Sequence, residues 1–205
     1  VIVFMWAKKI IAITESKLCE EDFLKRVERL AKAKIDALIL REKELSEAKY
    51  YDLAKEVLKI CAKHKTTCIL HYFDKVALKL NHRYFHCPLD ILKAEPRLVK
   101  YFHLIGTSVH SEEELFLAEY FKCNYAIAGH IFESSCKEDL APKGLNFLNE
   151  LCKNAKIPIY AVGGINLKTL TQLKESSISG VCLRSSLMQE KNVKEYIANL
   201  RAILA

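Results

Sequence analysis

The 205-residue sequence is poor in the residues that loops and linkers are built from, with six glycines and four prolines. Long structureless connections and low-complexity tracts are therefore not expected, because such segments are rich in those residues. No apolar run approaches the roughly 20 residues of a membrane-crossing helix. The opening Val1-Ile2-Val3-Phe4-Met5-Trp6 is too short for a secretory leader and lacks a cleavage site, so residues 1–7 read as an upstream extension to a fold beginning at Lys8. The H-E-x-x-H spacing of zinc hydrolases is missing, and no metal site is expected from spacing. Eight cysteines contain no C-x-x-C pair. Several lie in strand-like apolar stretches such as Thr67-Cys68-Ile69-Leu70 and Gly180-Val181-Cys182-Leu183, where a thiol packs as a small hydrophobe. Reduced cysteines in a cytoplasmic enzyme are the expectation.

Lys and Arg number 32 against 25 Asp and Glu, a net charge of +7. There is no Arg-rich block and no alternation of basic with aromatic residues, and opposite charges are interleaved, as in Glu42-Lys43-Glu44. That pattern argues against nucleic acid or a membrane surface as partner. It fits solvated helix faces with a local site for an anionic small molecule.

What the chain does have is rhythm. Short β-rich runs at residues 10–14, 37–41, 68–71, 84–87, 103–106, 125–128, 159–162 and 180–183 alternate with amphipathic runs, clearest at 46–63, 111–121 and 145–154. Leu53, Val57 and Ile60 form one apolar stripe in the first of these helices, and Ser111 with Glu114 reads as a capping box opening the second. Eight such units predict a closed (β/α)₈ barrel forming one domain over residues 1–205, with short third and fourth units. An open doubly wound sheet is the alternative, because alternation alone does not establish closure.

Barrels of this kind place their chemistry where strands end. Arg41 and Lys43 follow the second strand, Ser108 and His110 the fifth, and His130 the sixth, with Lys137 further along the same loop. Gly163-Gly164 closes the seventh strand, and Arg184-Ser185-Ser186 follows the eighth. Paired glycines let backbone N–H groups approach an anion, and the helix after them presents its positive end, so a phosphate site is expected there. His130 is the candidate for proton transfer, because an imidazole titrates near neutral pH. The other histidines are assigned packing or surface roles.

These residues also resemble a known family. The segments Ile11-Ala12-Ile13-Thr14, Leu40-Arg41-Glu42-Lys43, Gly106-Thr107-Ser108-Val109-His110-Ser111, Gly129-His130-Ile131-Phe132-Glu133-Ser134-Ser135-Cys136-Lys137 and Ala161-Val162-Gly163-Gly164-Ile165 occur in order. They are similar to the motifs of the thiamin phosphate synthase and TenI superfamily, over nearly the whole chain. The resemblance implies a (β/α)₈ barrel acting on a thiazole phosphate, by one of two activities.

Thiamin phosphate synthases join a pyrimidine pyrophosphate to a thiazole phosphate using magnesium. Against their pattern this chain keeps Arg41 and Lys43 but has Ile39 for a glutamine and His71-Tyr72 for an Asn-Asp pair. Asp90 stands about one place out of register with a strand-four aspartate, and Gly129-His130 replaces Gly-Pro. The last change matches the TenI-type thiazole tautomerases, in which the histidine is the acid–base residue. The expectation is therefore an isomerase of thiamin biosynthesis, a thiazole tautomerase that aromatises carboxythiazole phosphate through His130 without a cofactor. Its phosphate would lie on Gly163, Gly164 and Ser185, with Arg184 beside it. Arg41, Lys43 and Lys137 would offer charge, and Ser108 a hydrogen bond. A thiamin phosphate synthase (a transferase with Mg²⁺) is the first alternative. A non-catalytic regulatory barrel binding thiazole or thiamin phosphate is the second. The expected partner is the small-molecule thiazole phosphate, and a homodimer is the assembly considered.

Overall fold

Side chains alternate along each short strand, and that alternation sorts them into two apolar layers. The computed structural model describes residues 8–134 and 140–205. Residues 1–7 and Lys137 lie outside that set. Within it, β1 (Lys9–Ile13), β2 (Ala37–Leu40), β3 (Thr67–His71), β4 (Tyr84–His86), β5 (Leu104–Val109), β6 (Tyr125–Gly129), β7 (Ile159–Val162) and β8 (Gly180–Leu183) pair in parallel in chain order. The ring closes through β1 and β8, with Ile11 opposite Cys182, so the fold is the (β/α)₈ barrel and not the open sheet. Ile11, Ile39, Ile69, Tyr125, Ile127 and Cys182 fill the barrel interior. Their neighbours Ile10, Leu38, Leu40 and Leu70 point the other way and pack with helix residues such as Val27, Leu30 and Val57.

The outer ring consists of α1 (Phe23–Lys32), α2 (Glu47–His64), α3 (Asp74–Lys79), α4 (Leu89–Ala94), α5 (Glu112–Tyr120), α6 (Gly144–Asn154), α7 (Leu167–Leu170), α8 (Ser185–Gln189) and α9 (Val193–Leu204). The third and fourth units are compressed as expected, with six-residue helices. Ser111 caps α5 by accepting the Glu114 N–H at 3.1 Å, but the Glu114 carboxylate turns to His110, accepting its backbone N–H at 2.6 Å. Half of the expected capping box therefore forms. Strand β5 runs three residues beyond its expected end at Gly106, because Gly106 to Val109 continue the ladder against Tyr125 to Ala128. Gly106-Thr107-Ser108 looks like turn chemistry in sequence. In the fold it is strand, and Ser108 is fixed by a ladder instead of lying in a loop.

The seven described cysteines are all unpaired. Among the described residues no helix is long and apolar enough to cross a membrane.

The ends of the first three strands are tied together by buried polar side chains. Arg41 donates its backbone N–H to Thr14 Oγ1 at 2.9 Å, and Thr14 in turn donates to Glu42 Oε1 at 2.8 Å. Ser16 gives the same carboxylate its backbone N–H and, at 2.7 Å, its hydroxyl. Tyr50 on α2 donates to the Leu40 carbonyl at 2.7 Å and accepts the His71 N–H at 3.0 Å. Thr14, Glu42 and Tyr50 are all buried. Removing the Glu42 carboxylate would strand buried donors, at a cost of about 2 kcal/mol. For a domain of this size that is roughly 4–8 °C in melting temperature. Glu42→Ala should show that loss in a thermal melt, and an unchanged melting temperature would mean the lock is dispensable.

Candidate active site

A cavity of about 740 Å³ opens at the C-terminal ends of the strands. Arg41, Lys43, Ser108, His130, Gly163, Gly164, Arg184 and Ser185 all line it, while Lys137 falls outside the described residues. Residues scattered over 145 positions of sequence, from Arg41 to Ser185, are thus brought to one mouth by strand order alone. Its floor is apolar, made by Ile13, Ile39, Ile127, Val162 and Cys182 from inside the barrel.

The β7–β8 side of the mouth is a cradle of backbone amides. The N–H groups of Gly163, Gly164, Ser185 and Ser186 donate to no acceptor among the described residues. Both glycines have positive φ, 100° and 64°. A Cβ on Gly163 would lie 2.2 Å from His130 Cβ, and one on Gly164 would lie 2.2 Å from the Glu133 carbonyl oxygen. The glycines are therefore required by the passage of residues 130–133 over them, as well as by any approaching anion. The expected contribution of the next helix is corrected. Asn166 caps α7 itself, accepting from Lys168 and Thr169, so those amides are already occupied.

His130 is 6% exposed, and its Nε2 lies 3.1 Å from the Leu140 carbonyl oxygen. A carbonyl only accepts, so Nε2 carries the proton and is committed to that bond. The residue lines the cavity, yet it is anchored to its own loop.

Two histidines read from sequence as packing or surface residues line the cavity. His71 and His86, at the ends of β3 and β4, stack with centroids 5.5 Å apart and line the cavity. His86 Nδ1 meets Tyr125 Oη at 3.0 Å, and its Nε2 meets Ser108 Oγ at 3.0 Å. Burial drives the Tyr125 phenol well above its ordinary range, so it keeps its proton and must donate it. His86 is its acceptor among the described residues. Nε2–H therefore donates to Ser108, which leaves the Ser108 hydroxyl proton free for a ligand. Sequence could not show this, because the tyrosine enters from the start of β6 and crosses the barrel interior. It fits only because Gly106 has no side chain: a Cβ there would lie 2.1 Å from the Tyr125 ring.

With this geometry in place, comparison with known proteins identifies the relatives. The family model described as Thiamine monophosphate synthase matches residues 10–187. The chain belongs to that family. The thiamine-phosphate synthase of Fusobacterium nucleatum is 30% identical over 196 residues, covering 94% of this chain and 95% of that one. The thiamine-phosphate synthase of Clostridium acetobutylicum is 29% identical over 191 residues, covering 91% and 90%. Among solved structures, a thiamine phosphate pyrophosphorylase from Pyrococcus furiosus is similar with a TM-score of 0.82, covering 97% and 96% of the two chains. At 23% identity that likeness speaks to the fold.

Membership of a thiamine monophosphate synthase family makes the protein an enzyme, and it overturns the tautomerase expectation. The relatives that match over full length carry the name of the synthase. The isomerase expectation rested on Gly129-His130 and on the departures at Ile39, His71-Tyr72 and Asp90, and the His130 imidazole is tied to the Leu140 carbonyl. These local departures are weaker evidence than similarity along the whole barrel.

Burial holds the His86 imidazole down at about 3, against an ordinary value of 6.5. The unfolded chain therefore binds a proton that the folded chain refuses, and stability present above pH 6.5 is lost on acidification toward 3. Between pH 7 and pH 5 this group alone removes about 2 kcal/mol. Denaturant titrations at the two pH values should show that loss in the wild type, and a smaller one in His86→Asn. Equal losses in both proteins would exclude His86 as the source.

Proposed function

We propose that this family member is a transferase that joins a pyrimidine pyrophosphate to a thiazole phosphate, releasing pyrophosphate. The observation that supports this reading is the division of the cavity. Unpaired amides lie on the β7–β8 side, and unpaired cations lie at the end of β2. Arg41 and Lys43 form no ion pair among the described residues, whereas Arg184 is paired with Glu15 at 3.2 Å. Two separate places for anions suit two phosphorylated substrates.

On this reading the thiazole phosphate rests on the amides of Gly163, Gly164, Ser185 and Ser186. The pyrophosphate of the second substrate faces Arg41 and Lys43. As its bond to the pyrimidine's carbon breaks and the bond to the thiazole forms, negative charge grows on the leaving group. Fixed cations then stabilise the transition state more than the ground state. Ser108, its proton freed by His86, donates a further hydrogen bond. The apolar floor keeps water from competing for the same carbon. Unpaired thiols fit a cytoplasmic enzyme.

Resemblance to the synthases implies magnesium, and the donors present do not fit a carboxylate-held ion. Among the described residues the cavity wall offers one carboxylate, Glu133. Glu42 is consumed by Thr14 and Ser16, and Asp90 lies off the wall, exposed beside Lys93 at 3.5 Å. No group of three or more His, Cys, Asp or Glu is placed to hold a metal among the described residues. No step is assigned to a metal.

Supplying both substrates should yield thiamine phosphate and pyrophosphate in equal amounts. Arg41→Met should lower kcat/KM about 10- to 100-fold, the value of a charge-assisted hydrogen bond, with most of the loss in kcat. Absence of product with and without divalent ions would overturn the reading, as would wild-type kinetics in Arg41→Met.

A further inference from the structure

Across the mouth from the amide cradle, the ends of β2, β3 and β4 bring together polar groups that the fold leaves unsatisfied. Arg41 Nη1 and His71 Nδ1 are buried and have no hydrogen-bond partner. Neither ring nitrogen of His71 is bonded to another described residue, and no described carboxylate pairs with the Arg41 guanidinium. Both residues line the cavity. Buried polar nitrogens are nearly always paired in proteins, so two unpaired ones on one cavity wall mark a place where something else pairs with them.

We infer that this wall is a second anion subsite that binds a pyrophosphate group directly, with the His71 imidazole and the Arg41 guanidinium in place of a carboxylate-held divalent cation. The inference rests on reading the cavity as a site for phosphate esters, and it deepens that reading by naming how the more highly charged substrate is held.

Charge and preorganisation both point this way. A divalent cation needs anionic oxygens around it. Here it would meet Arg41, Lys43 and a pair of imidazoles, with Glu133 as the only described carboxylate on the wall. A pyrophosphate oxygen accepts only, and suits a guanidinium fork and an imidazole N–H. Burial, His86, Arg41 and Lys43 all hold the His71 imidazole well below its ordinary range, so it stands neutral with one N–H to offer. An arriving anion offsets the two cations that disfavour protonation, and the ring can then take up a proton and donate from both nitrogens. The His71 ring is held in place before any anion arrives, and the Arg41 side chain starts from a fixed backbone. The backbone of Arg41 is held by Thr14, that of His71 by Tyr50, and the His71 ring lies on His86, itself fixed by Tyr125 and Ser108. Binding at such a site avoids the entropic cost of immobilising the imidazole.

The test uses the full chain, with inorganic pyrophosphate and inorganic phosphate as probes in calorimetric titrations. Pyrophosphate should bind in EDTA, and magnesium should not tighten its affinity once the free anion concentration is accounted for. Arg41→Met and His71→Leu should each weaken that binding by about tenfold or more. His71→Gln, which keeps an N–H donor, should recover part of the loss and so separate hydrogen bonding from packing. In the wild-type protein the ¹⁵N resonances of the His71 ring should shift on adding pyrophosphate in EDTA, a readout that does not depend on any variant folding. Binding that appears only with magnesium overturns the inference. So do silent His71 resonances in the presence of bound pyrophosphate, or wild-type affinity in both Arg41→Met and His71→Leu. If phosphate binds, and Gly164→Val abolishes it, while pyrophosphate requires magnesium, the proposed function stands and this inference falls. If neither anion binds, both fall.

Discussion

The mouth of a small parallel barrel has a problem that its staves do not. Where the ladders stop, backbone groups lose their partners just where side chains must be held still. In this protein the buried Glu42 carboxylate answers that need on one side of the ring. It gathers Thr14 and both donors of Ser16, and Thr14 then fixes the backbone of Arg41. Tyr50 repeats the device one strand further on, bridging the Leu40 carbonyl to the His71 amide. The backbones that carry the cation and the imidazole facing the cavity are therefore both secured from behind by Thr14 and Tyr50.

The opposite side is secured differently. Residues 130–133 cross so close above Gly163 and Gly164 that no side chain fits between them, and the amides of that turn are held open by backbone packing. One half of the mouth thus presents side-chain charge and the other presents main-chain dipoles. A fixed dipole array tolerates many phosphate esters, whereas a guanidinium beside a neutral imidazole responds to how much charge arrives. The two halves can be tuned separately by mutation, because they share the apolar floor and little else.

Much of this was legible in the sequence, for physical reasons. Strand and helix periods, the Gly163-Gly164 pair and the positions of Arg41, Lys43, Ser108 and Ser185 were sufficient to place a cavity lined by those residues at strand ends, since in a barrel every strand delivers its last residues to one face. What stayed hidden were partnerships across the barrel. Nothing near Ser108 in sequence announces that its hydroxyl is oriented by His86, or that His86 takes its hydrogen bond from Tyr125. His71 looked like packing because a histidine at the end of an apolar strand usually is. The choice between two activities failed for a related reason: the His-for-Pro exchange after β6 and the missing carboxylates at the ends of β3 and β4 are local departures, and they say less than similarity along the whole barrel.

The close fit of Gly106 under the Tyr125 ring carries an evolutionary consequence. A methyl group at position 106 and a tyrosine at position 125 exclude one another in this geometry. A lineage can therefore not exchange either residue alone without disturbing His86 and, through it, the polarity that Ser108 shows to the cavity. The three positions should vary as a set among relatives: glycine with tyrosine and histidine together, or all three replaced. A barrel that has lost the glycine should have rebuilt its floor, and with it the choice of which group greets the substrate at the end of β5.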